Sequence, residues 1–389
     1  MHHMKKIALG CAMLLAAGVV PAADALKIGM MTTLSGPASG LGIDIRDGFD
    51  LAVKHLGGKL GGLPTEVITA DDAQNPDTAK QITERFLKKD KIDIATGVVF
   101  SNIMLAVAPA FIGAETFYIS ANAGPSQLAG EGCSPYFFNV AWQNDNLHEA
   151  MGKRVQDQGI KSVALLAPNY PAGKDALTGF KRFYKGDIAD EIYSKLGQLD
   201  YSAEIAQIRA AGADAVYIFL PGGMGINFIK QYAQSGMMKK VPIFAPGFSG
   251  DEDVVKAVGP AMEGLYNTTH WYREMDNPAN KRFVADFEKE TGRLPTLYAS
   301  QGYDAALLID AAVKAVGGKV DDKAALRKAF ETVKAPSVRG EYRLGNNHYP
   351  IQPYYLRQVV KNADGSVSNK FVAKVMDAHV DAYAKDCKM

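Results

Sequence analysis

The sequence predicts an α/β protein built from two doubly wound α/β units. Strand-like and helix-like segments alternate with little interruption, and the alternation starts again after residue 145. Apolar runs such as "IDIATGVV" lack strict two-residue periodicity, which is typical of strands covered by helices on both faces of a parallel sheet. The 389 residues also exceed the size at which a single hydrophobic core stops growing. Two domains are therefore expected.

The first unit is predicted between residues 26 and 140. It opens with the apolar strand "LKIGMMTTL", and the helix that follows places Ile45, Phe49, Ala52 and Val53 on one face. Strands are predicted at 26–34, 64–72, 91–99 and 117–121, and helices at 42–56, 76–89 and 101–113.

The second unit repeats this order after "FFNVAWQNDN". Strands are predicted at 162–168, 213–221 and 241–247, helices at 175–184, 225–236, 279–291, 297–316 and 321–333, and an extended region at 341–360. The three helices after residue 275 have no strands of their own, so they are expected to cover the first sheet. The chain must then cross between the units near 139–145, 267–275 and 343–350, which predicts a three-segment hinge.

The first 25 residues are typical of a secretory signal peptide. Lys5 and Lys6 precede an apolar stretch, and "ADA" at 23–25 supplies the small residues of a cleavage site. A membrane anchor is the alternative, but the stretch is shorter than the roughly 20 residues that span a bilayer. A lipoprotein start at Cys11 fits poorly, because the apolar region continues beyond it. The predicted location is therefore the periplasm.

Charge and cysteine content argue against several classes of protein. The 43 basic and 42 acidic residues nearly cancel and form no basic stripe, so no nucleic-acid partner is expected. Beyond the leader only Cys133 and Cys387 remain, and in an exported chain two cysteines most simply form one disulfide; two free thiols are the alternative. Neither has a Cys or His neighbour at ligand spacing, so no metal or cofactor is predicted.

The stretch "FYISANAGPSQL" at 117–128 marks a candidate ligand site. Ligands of open α/β sheets bind outside the carboxyl ends of the strands, and here an apolar strand gives way to small residues. Ala123 and Gly124 would let a carboxylate approach backbone N–H groups, and Asn122 would add a side-chain donor or simply form a turn. Ser101 follows the preceding strand and opens a helix, where it would bind an anion, cap the helix, or do both.

Three longer stretches resemble the type I periplasmic substrate-binding proteins of ABC importers, the leucine/isoleucine/valine-binding family. They are "LSGPASGLGIDIRDGFDLAV", "GGKLGGLPTEVITADDAQNPDTA" and "SQGYDAALLIDAAVKAVGG", and the similarity covers nearly all of the chain after the leader. The resemblance implies two lobes that close on a ligand and deliver it to membrane permease subunits, with a monomer expected. It implies an N-terminal lobe at 26–142 plus 271–345, a C-terminal lobe at 143–270 plus 346–375, and a tail at 376–389.

The resemblance also implies roles for individual residues. The loops of Ser101 and Asn122 match positions that hold the ligand's carboxylate in the family, and Tyr170 matches an aromatic residue that closes on the ligand. Leu41 stands where relatives place a tyrosine or tryptophan. Phe248 stands where amino-acid binders place an acidic partner for the ligand's ammonium, although Asp251 or Glu252 would supply one if the alignment slipped by three or four residues.

These departures predict a small aromatic monocarboxylate, of the benzoate or phenylpropanoid kind, as the ligand. Phe100, Tyr170 and Phe248 offer rings to it. A branched-chain amino acid is the alternative within the same transporter class. An enzyme is disfavoured because "GLGIDI" has Ile45 in place of the third glycine of a dinucleotide motif and the histidines are scattered singly. A sensory ectodomain would need a transmembrane segment after the lobes.

Overall fold

The computed structural model describes residues 25–389. The predicted signal peptide lies outside these residues, apart from Ala25. Two separate sheets organise the described chain into two lobes, which confirms the predicted α/β class and the two-lobed architecture.

The sheet of the N-terminal lobe contains β1 (Leu26–Thr32), β2 (Lys59–Leu60), β3 (Leu63–Asp71), β4 (Ile94–Thr96), β5 (Phe117–Ser120) and β6 (Phe137–Asn139). Their order in the sheet is β2-β3-β1-β4-β5-β6; β2 is antiparallel to β3, and the other five strands are parallel to one another. The chain runs outward from β1 to β3 and then returns to β4 on the other side of β1. The crevice between the ends of β1 and β4 is therefore the topological switch point, where such sheets bind ligands.

The sheet of the C-terminal lobe contains β7 (Ser162–Pro168), β8 (Asp187–Ser194), β9 (Ala215–Ile218), β10 (Ile243–Pro246), β11 (Tyr266–Thr269), β12 (Arg343–Leu344), β13 (Pro350–Lys361) and β14 (Val367–His379). Their order is β12-β13-β11-β10-β9-β7-β8, with β14 paired to β13, so this sheet has its own switch point between β7 and β9.

Twelve α-helices of the described residues pack around these sheets. They are α1 (Ser39–His55), α2 (Pro76–Arg85), α3 (Ser101–Gly113), α4 (Ser126–Ala129), α5 (Asn146–Asp157), α6 (Pro171–Phe183), α7 (Ser202–Ala211), α8 (Gly223–Gln234), α9 (Glu252–Val258), α10 (Pro278–Thr291), α11 (Leu297–Ala315) and α12 (Lys323–Thr332).

The pairing of α1 with α11 explains two of the family stretches. A Cβ atom at Gly48 would lie 2.0 Å from the carbonyl oxygen of Ala299, and one at Gly302 would lie 2.0 Å from that of Ile45. Only glycine permits so close an approach of two helix backbones. The late helix therefore packs onto the first lobe, as the sequence predicts for the helices after residue 275.

Several elements differ from the prediction. The strand predicted at 91–99 covers only Ile94–Thr96, because Gly97 has a φ of +106° and turns the chain toward the cleft. Strand β14 was missed because its central residues, such as Lys370 and Lys374, are exposed and charged. Strand β8 and helix α7, both toward the edge of the second lobe, were missed as well.

The chain passes between the two sheets three times, after β6, after β11 and after α12. The tail that follows β14 makes a fourth link, since Cys387 is bonded to Cys133 in the loop before β6, and the predicted disulfide is confirmed. On its way the tail contacts the other crossings: the Tyr383 hydroxyl donates to Asp145 (3.1 Å), and Asn346 donates to the carbonyl of Ala384 (2.8 Å). Four connections therefore lie at the hinge.

Candidate functional site

A small cavity lies between the lobes, where the carboxyl ends of the strands in both sheets face each other. In this closed form its internal volume is about 20 Å³, room for about one water molecule. The N-terminal lobe supplies loops after β1, β4 and β5 and the start of α11, and the C-terminal lobe supplies loops after β7, β9 and β10. The lining residues are Leu41, Val99, Phe100, Ser101, Asn122, Tyr170, Ala172, Phe219, Pro221, Phe248 and Tyr298.

The lobes are closed around this cavity. A Cβ atom at Gly222, in the loop after β9, would lie 3.3 Å from the Leu41 side chain of the opposite lobe. Gly222 has a φ of +59°, a conformation that residues with a side chain rarely adopt, so glycine serves both the turn and the close approach. A larger groove between α11 and α12 is open to solvent and contains none of the predicted site residues.

Six of the eight predicted site residues line the cavity, and two do not. The six are Leu41, Phe100, Ser101, Asn122, Tyr170 and Phe248. The N–H groups of the other two are used inside the protein, because Ala123 donates to the carbonyl of Val98 (3.3 Å) and Gly124 donates to Oδ1 of Asn144 (3.0 Å). The carboxylate-binding role of Ala123 and Gly124 therefore remains a prediction without geometric support, and the roles of the six remain predictions that the geometry allows.

Ser101 is the first residue of α3, at the positive end of a 13-residue helix. Phe100 occupies the cap position and Ser101 makes no capping bond, so the N-cap alternative does not hold. Its Oγ instead accepts a hydrogen bond from Nδ2 of Asn144 (3.0 Å). A hydroxyl and a helix terminus at one edge of the cavity are suited to binding an anion.

Asn122 adds a second polar group near this edge. Its Nδ2 donates to the carbonyl of Val99 (2.6 Å), which fixes the orientation of the amide. Within residues 25–389 its buried Oδ1 has no hydrogen-bond partner. The side chain that was predicted as a donor therefore offers an acceptor.

Aromatic rings form most of the remaining wall. The Tyr170 ring lies 6.2 Å from that of Phe100 and 6.3 Å from that of Phe219, and the Phe248 ring lies 5.4 Å from Phe219 and 6.1 Å from Tyr298. Burial raises the pKa of both tyrosines, so each presents a neutral phenol. The wall is therefore apolar, with hydroxyl groups as hydrogen-bonding points.

None of the side chains that line the cavity carries a charge. Asp251 is buried beside it but accepts from Arg357 (3.0 Å) and from the N–H of Leu297 (2.5 Å). Glu252 lies 3.5 Å from Arg273 and contacts Asn369. Both carboxylates thus have partners in the protein, and neither reaches the cavity.

Comparison with known proteins identifies the family. A family model described as periplasmic binding protein matches residues 25–365. The chain belongs to the periplasmic binding protein family. Leu/Ile/Val-binding protein homolog 6 of Brucella melitensis is 30% identical over 380 residues, which cover 94% of this chain and 96% of the relative.

Two solved structures of ABC-transporter solute-binding proteins are also similar to this chain. One, from R. palustris in complex with benzoate, has a TM-score of 0.89 and 32% identity over 94% of this chain and 100% of its own. The other, from Rhodopseudomonas palustris in complex with 3,4-dihydroxybenzoic acid, has a TM-score of 0.86 and 31% identity over 92% of this chain and 99% of its own. The predicted class, a solute-binding protein of the ABC-transporter type, is confirmed. Within the described residues, no helix has the length and apolar character needed to cross a membrane.

Sequence reasoning missed five residues that line the cavity of this family member: Val99, Ala172, Phe219, Pro221 and Tyr298. Phe219 and Pro221 lie at the end of β9, in "FLPGGMGIN", so the strand-end rule could have identified them. Tyr298 comes from a helix, and no strand-end signal points to it. The family stretch "SQGYDAALL" begins just after it and is the only sequence signal nearby.

His148 lies behind Phe248, with the two rings 6.0 Å apart, and it shares a hydrogen bond with the Tyr217 hydroxyl. Burial lowers the pKa of His148 to about 3. The unfolded chain has the ordinary pKa of about 6.5, so between these values the unfolded state binds a proton that the folded state excludes. This contribution to stability is present above pH 6.5 and is lost as the pH falls toward 3.

When the pH falls from 7 to 5, we expect the exclusion of a proton from His148 to lower the free energy of unfolding by about 2 kcal/mol. Urea unfolding at the two pH values, in the wild-type protein and in His148→Gln, measures this contribution. The loss between pH 7 and pH 5 should be smaller in the variant by about that amount. An equal loss in both proteins would show that His148 does not exclude the proton.

Proposed function

We propose that this periplasmic binding protein captures a small aromatic monocarboxylate, of the benzoate or phenylpropanoid kind, between its lobes and delivers it to the permease of an ABC importer. The observation that carries the proposal is the cavity wall, which is mostly aromatic and aliphatic, has hydroxyl and amide groups as its polar points, and contains no charged side chain. The protein would act in the periplasm as a monomer, and the proposal contains no catalytic step.

The carboxylate end is assigned to Ser101 and the first turn of α3. An anion there would accept hydrogen bonds from the hydroxyl and from N–H groups at the positive end of the helix. This arrangement binds an anion by dipoles alone. It serves any monocarboxylate, so the rest of the cavity must decide which one is bound.

The aromatic end is assigned to Phe100, Tyr170, Phe219, Phe248 and Tyr298. Offset and edge-to-face contacts with such rings add roughly 0.5–1.5 kcal/mol per pair beyond the burial of apolar area. In this closed form the cavity has an internal volume of only about 20 Å³, so the lining side chains must move apart to admit a ring.

A branched-chain amino acid fits this cavity less well. Its ammonium group would lose water and find no carboxylate in the wall, because Asp251 is held by Arg357 and Leu297. A buried charge without a partner costs several kcal/mol. The benzoate and 3,4-dihydroxybenzoic acid in the similar structures support the aromatic assignment, whereas the name of the Brucella relative is the reason to keep the amino acid as the alternative.

We further propose that the lobe boundaries follow the three crossings. The N-terminal lobe would comprise 26–142 and 271–345, and the C-terminal lobe 143–270 and 346–375, although β12 pairs with β13 of the C-terminal sheet. The tail at 376–389 would begin with the last residues of β14, which pair with β13, and would end at the disulfide with Cys133.

A thermal-shift panel tests the ligand class. Benzoate, 4-hydroxybenzoate, coumarate and leucine would each be added to unliganded protein. A ligand at 100 times its Kd adds about 2.7 kcal/mol of stability, which raises the melting temperature by several degrees. We expect at least one aromatic acid to stabilise the protein and leucine to have no effect.

Variants of this assay test the site. Phe248→Ala should reduce the shift given by the aromatic acids, whereas Phe371→Ala, which removes an exposed ring on β14, should leave it unchanged. Stabilisation by leucine with none by the three aromatic acids would overturn the proposed ligand. Equal shifts in wild type and Phe248→Ala would mean that the site is misplaced.

A further inference from the structure

Asn144 lies in the first crossing between the lobes, and both ends of its side-chain amide form hydrogen bonds. Its Nδ2 donates to Oγ of Ser101 (3.0 Å) and to Oδ2 of Asp175 (2.9 Å), and its Oδ1 accepts from the N–H of Gly124 (3.0 Å). All three side chains are buried. The opposite amide orientation would set Oδ1 against a carboxylate and Nδ2 against an N–H, so the network permits one orientation alone.

Asp175 extends this network to the other side of the cleft. It lies on α6 beside the C-terminal sheet, whereas Ser126 opens α4 in the N-terminal lobe. Oδ1 of Asp175 accepts from the Ser126 hydroxyl (2.7 Å), and Oδ2 accepts from the Ser126 N–H (3.1 Å). These bonds join the two lobes next to the first crossing.

The network also fixes the direction in which Ser101 can donate. The amide Nδ2 of Asn144 has donors and no acceptor, so the single hydroxyl proton of Ser101 must point elsewhere. With one lone pair of Oγ engaged by Asn144, the proton is available to a carboxylate in the cavity. A serine that donates while it accepts also forms stronger hydrogen bonds than an isolated one.

We propose that Asn144 is a positioning residue that turns the Ser101 hydroxyl toward the ligand's carboxylate and links carboxylate binding to lobe closure through the Asp175–Ser126 contact. The inference rests on the proposed carboxylate site at Ser101. Burial is the largest influence on Asp175 and raises its pKa, while the donors from Ser126 and Asn144 act in the opposite direction. Removal of Asn144 should therefore raise the pKa of Asp175 further and favour its neutral form, which is the poorer acceptor for the hydrogen bonds from Ser126.

A double-mutant cycle tests the positioning role. Benzoate affinity would be measured by calorimetry for the wild type, Asn144→Ala, Ser101→Ala and the double variant. Each single change should weaken binding roughly 10-fold or more, the scale of a hydrogen bond to a charged group. The loss in the double variant should be clearly smaller than the sum of the two single losses, since Asn144 acts in part through Ser101. Asn362→Ala, which removes an asparagine from the β13–β14 turn, is the matched control and should not change affinity.

The proposed link between Asn144 and lobe closure can be tested without any ligand. Hydrogen exchange of the Ser126 amide, which donates to Asp175, should be about tenfold faster in Asn144→Ala than in the wild type and unchanged in Asn362→Ala. Additive losses in the cycle, or unaltered exchange at Ser126, would overturn the inference. If leucine binds the wild type in place of benzoate, the proposed ligand fails, but the same cycle run with leucine still decides the role of Asn144, because both molecules carry a carboxylate.

Discussion

Replacing Cys133 and Cys387 by serine is expected to lower the free energy of unfolding by roughly 5 kcal/mol. The two cysteines are separated by 254 positions, and a crosslink across so long a segment removes much of the entropy of the unfolded chain. Urea unfolding with a common m-value would give the difference between the wild type and the double variant.

The single variants control this experiment. Cys133→Ser and Cys387→Ser should each reproduce the loss of the double variant, because either change removes the same bond. Reductant should destabilise the wild type and leave the double variant unaffected. An unfolding midpoint that does not move would contradict the entropic role assigned to the bond.

Asp251→Ala is expected to lower the free energy of unfolding by about 3–5 kcal/mol whatever ligand is present. The change leaves the Arg357 guanidinium buried without its carboxylate and removes the acceptor for the N–H of Leu297 at the start of α11. Both partners are almost fully buried, so water cannot replace the lost contacts. Asp364→Ala, at an exposed position of the β13–β14 turn, should cost little.

The same variant distinguishes two roles for Asp251. If Asp251 contacted an ammonium group, its removal would abolish amino-acid binding and leave stability nearly unchanged. Substitution of both partners, as in Asp251→Leu with Arg357→Met, should recover much of the lost stability, because an apolar pair replaces a buried ion pair without an unpaired charge. Failure of the double variant to improve on Asp251→Ala would assign the loss to the Leu297 contact.

The strand-end rule located one side of the cavity because parallel strands bring their carboxyl ends to one edge, whatever the rest of the chain does. Ser101 and Asn122 were predicted in this way, whereas the roles of Tyr170 and Phe248 came from the family resemblance. Tyr298 was not predicted, since it reaches the cavity from a helix nearly 200 residues after Ser101, and no local pattern encodes that approach.

The prediction for Ala123 and Gly124 shows a different limit. Small side chains indicate that something approaches the backbone closely, but they do not say what. At Gly124 a Cβ atom would lie 2.3 Å from the carbonyl oxygen of Trp142, and the N–H donates to the side chain of Asn144. At Ala123 the N–H donates to the carbonyl of Val98. At Gly48 of α1 and Gly302 of α11 the group that approaches is a different one, the backbone of the other helix.

Trp142 gives the cavity an optical property of its own. The chain has two tryptophans, and this one lies in the first crossing with its ring 4.6 Å from that of Phe248, which lines the cavity, and 5.0 Å from that of His270. Its indole is almost fully buried, so its emission depends on those neighbouring rings. We expect a ligand that contacts Phe248 to change the intrinsic fluorescence of the unmodified chain, so that occupancy can be followed in real time without a dye or an added label.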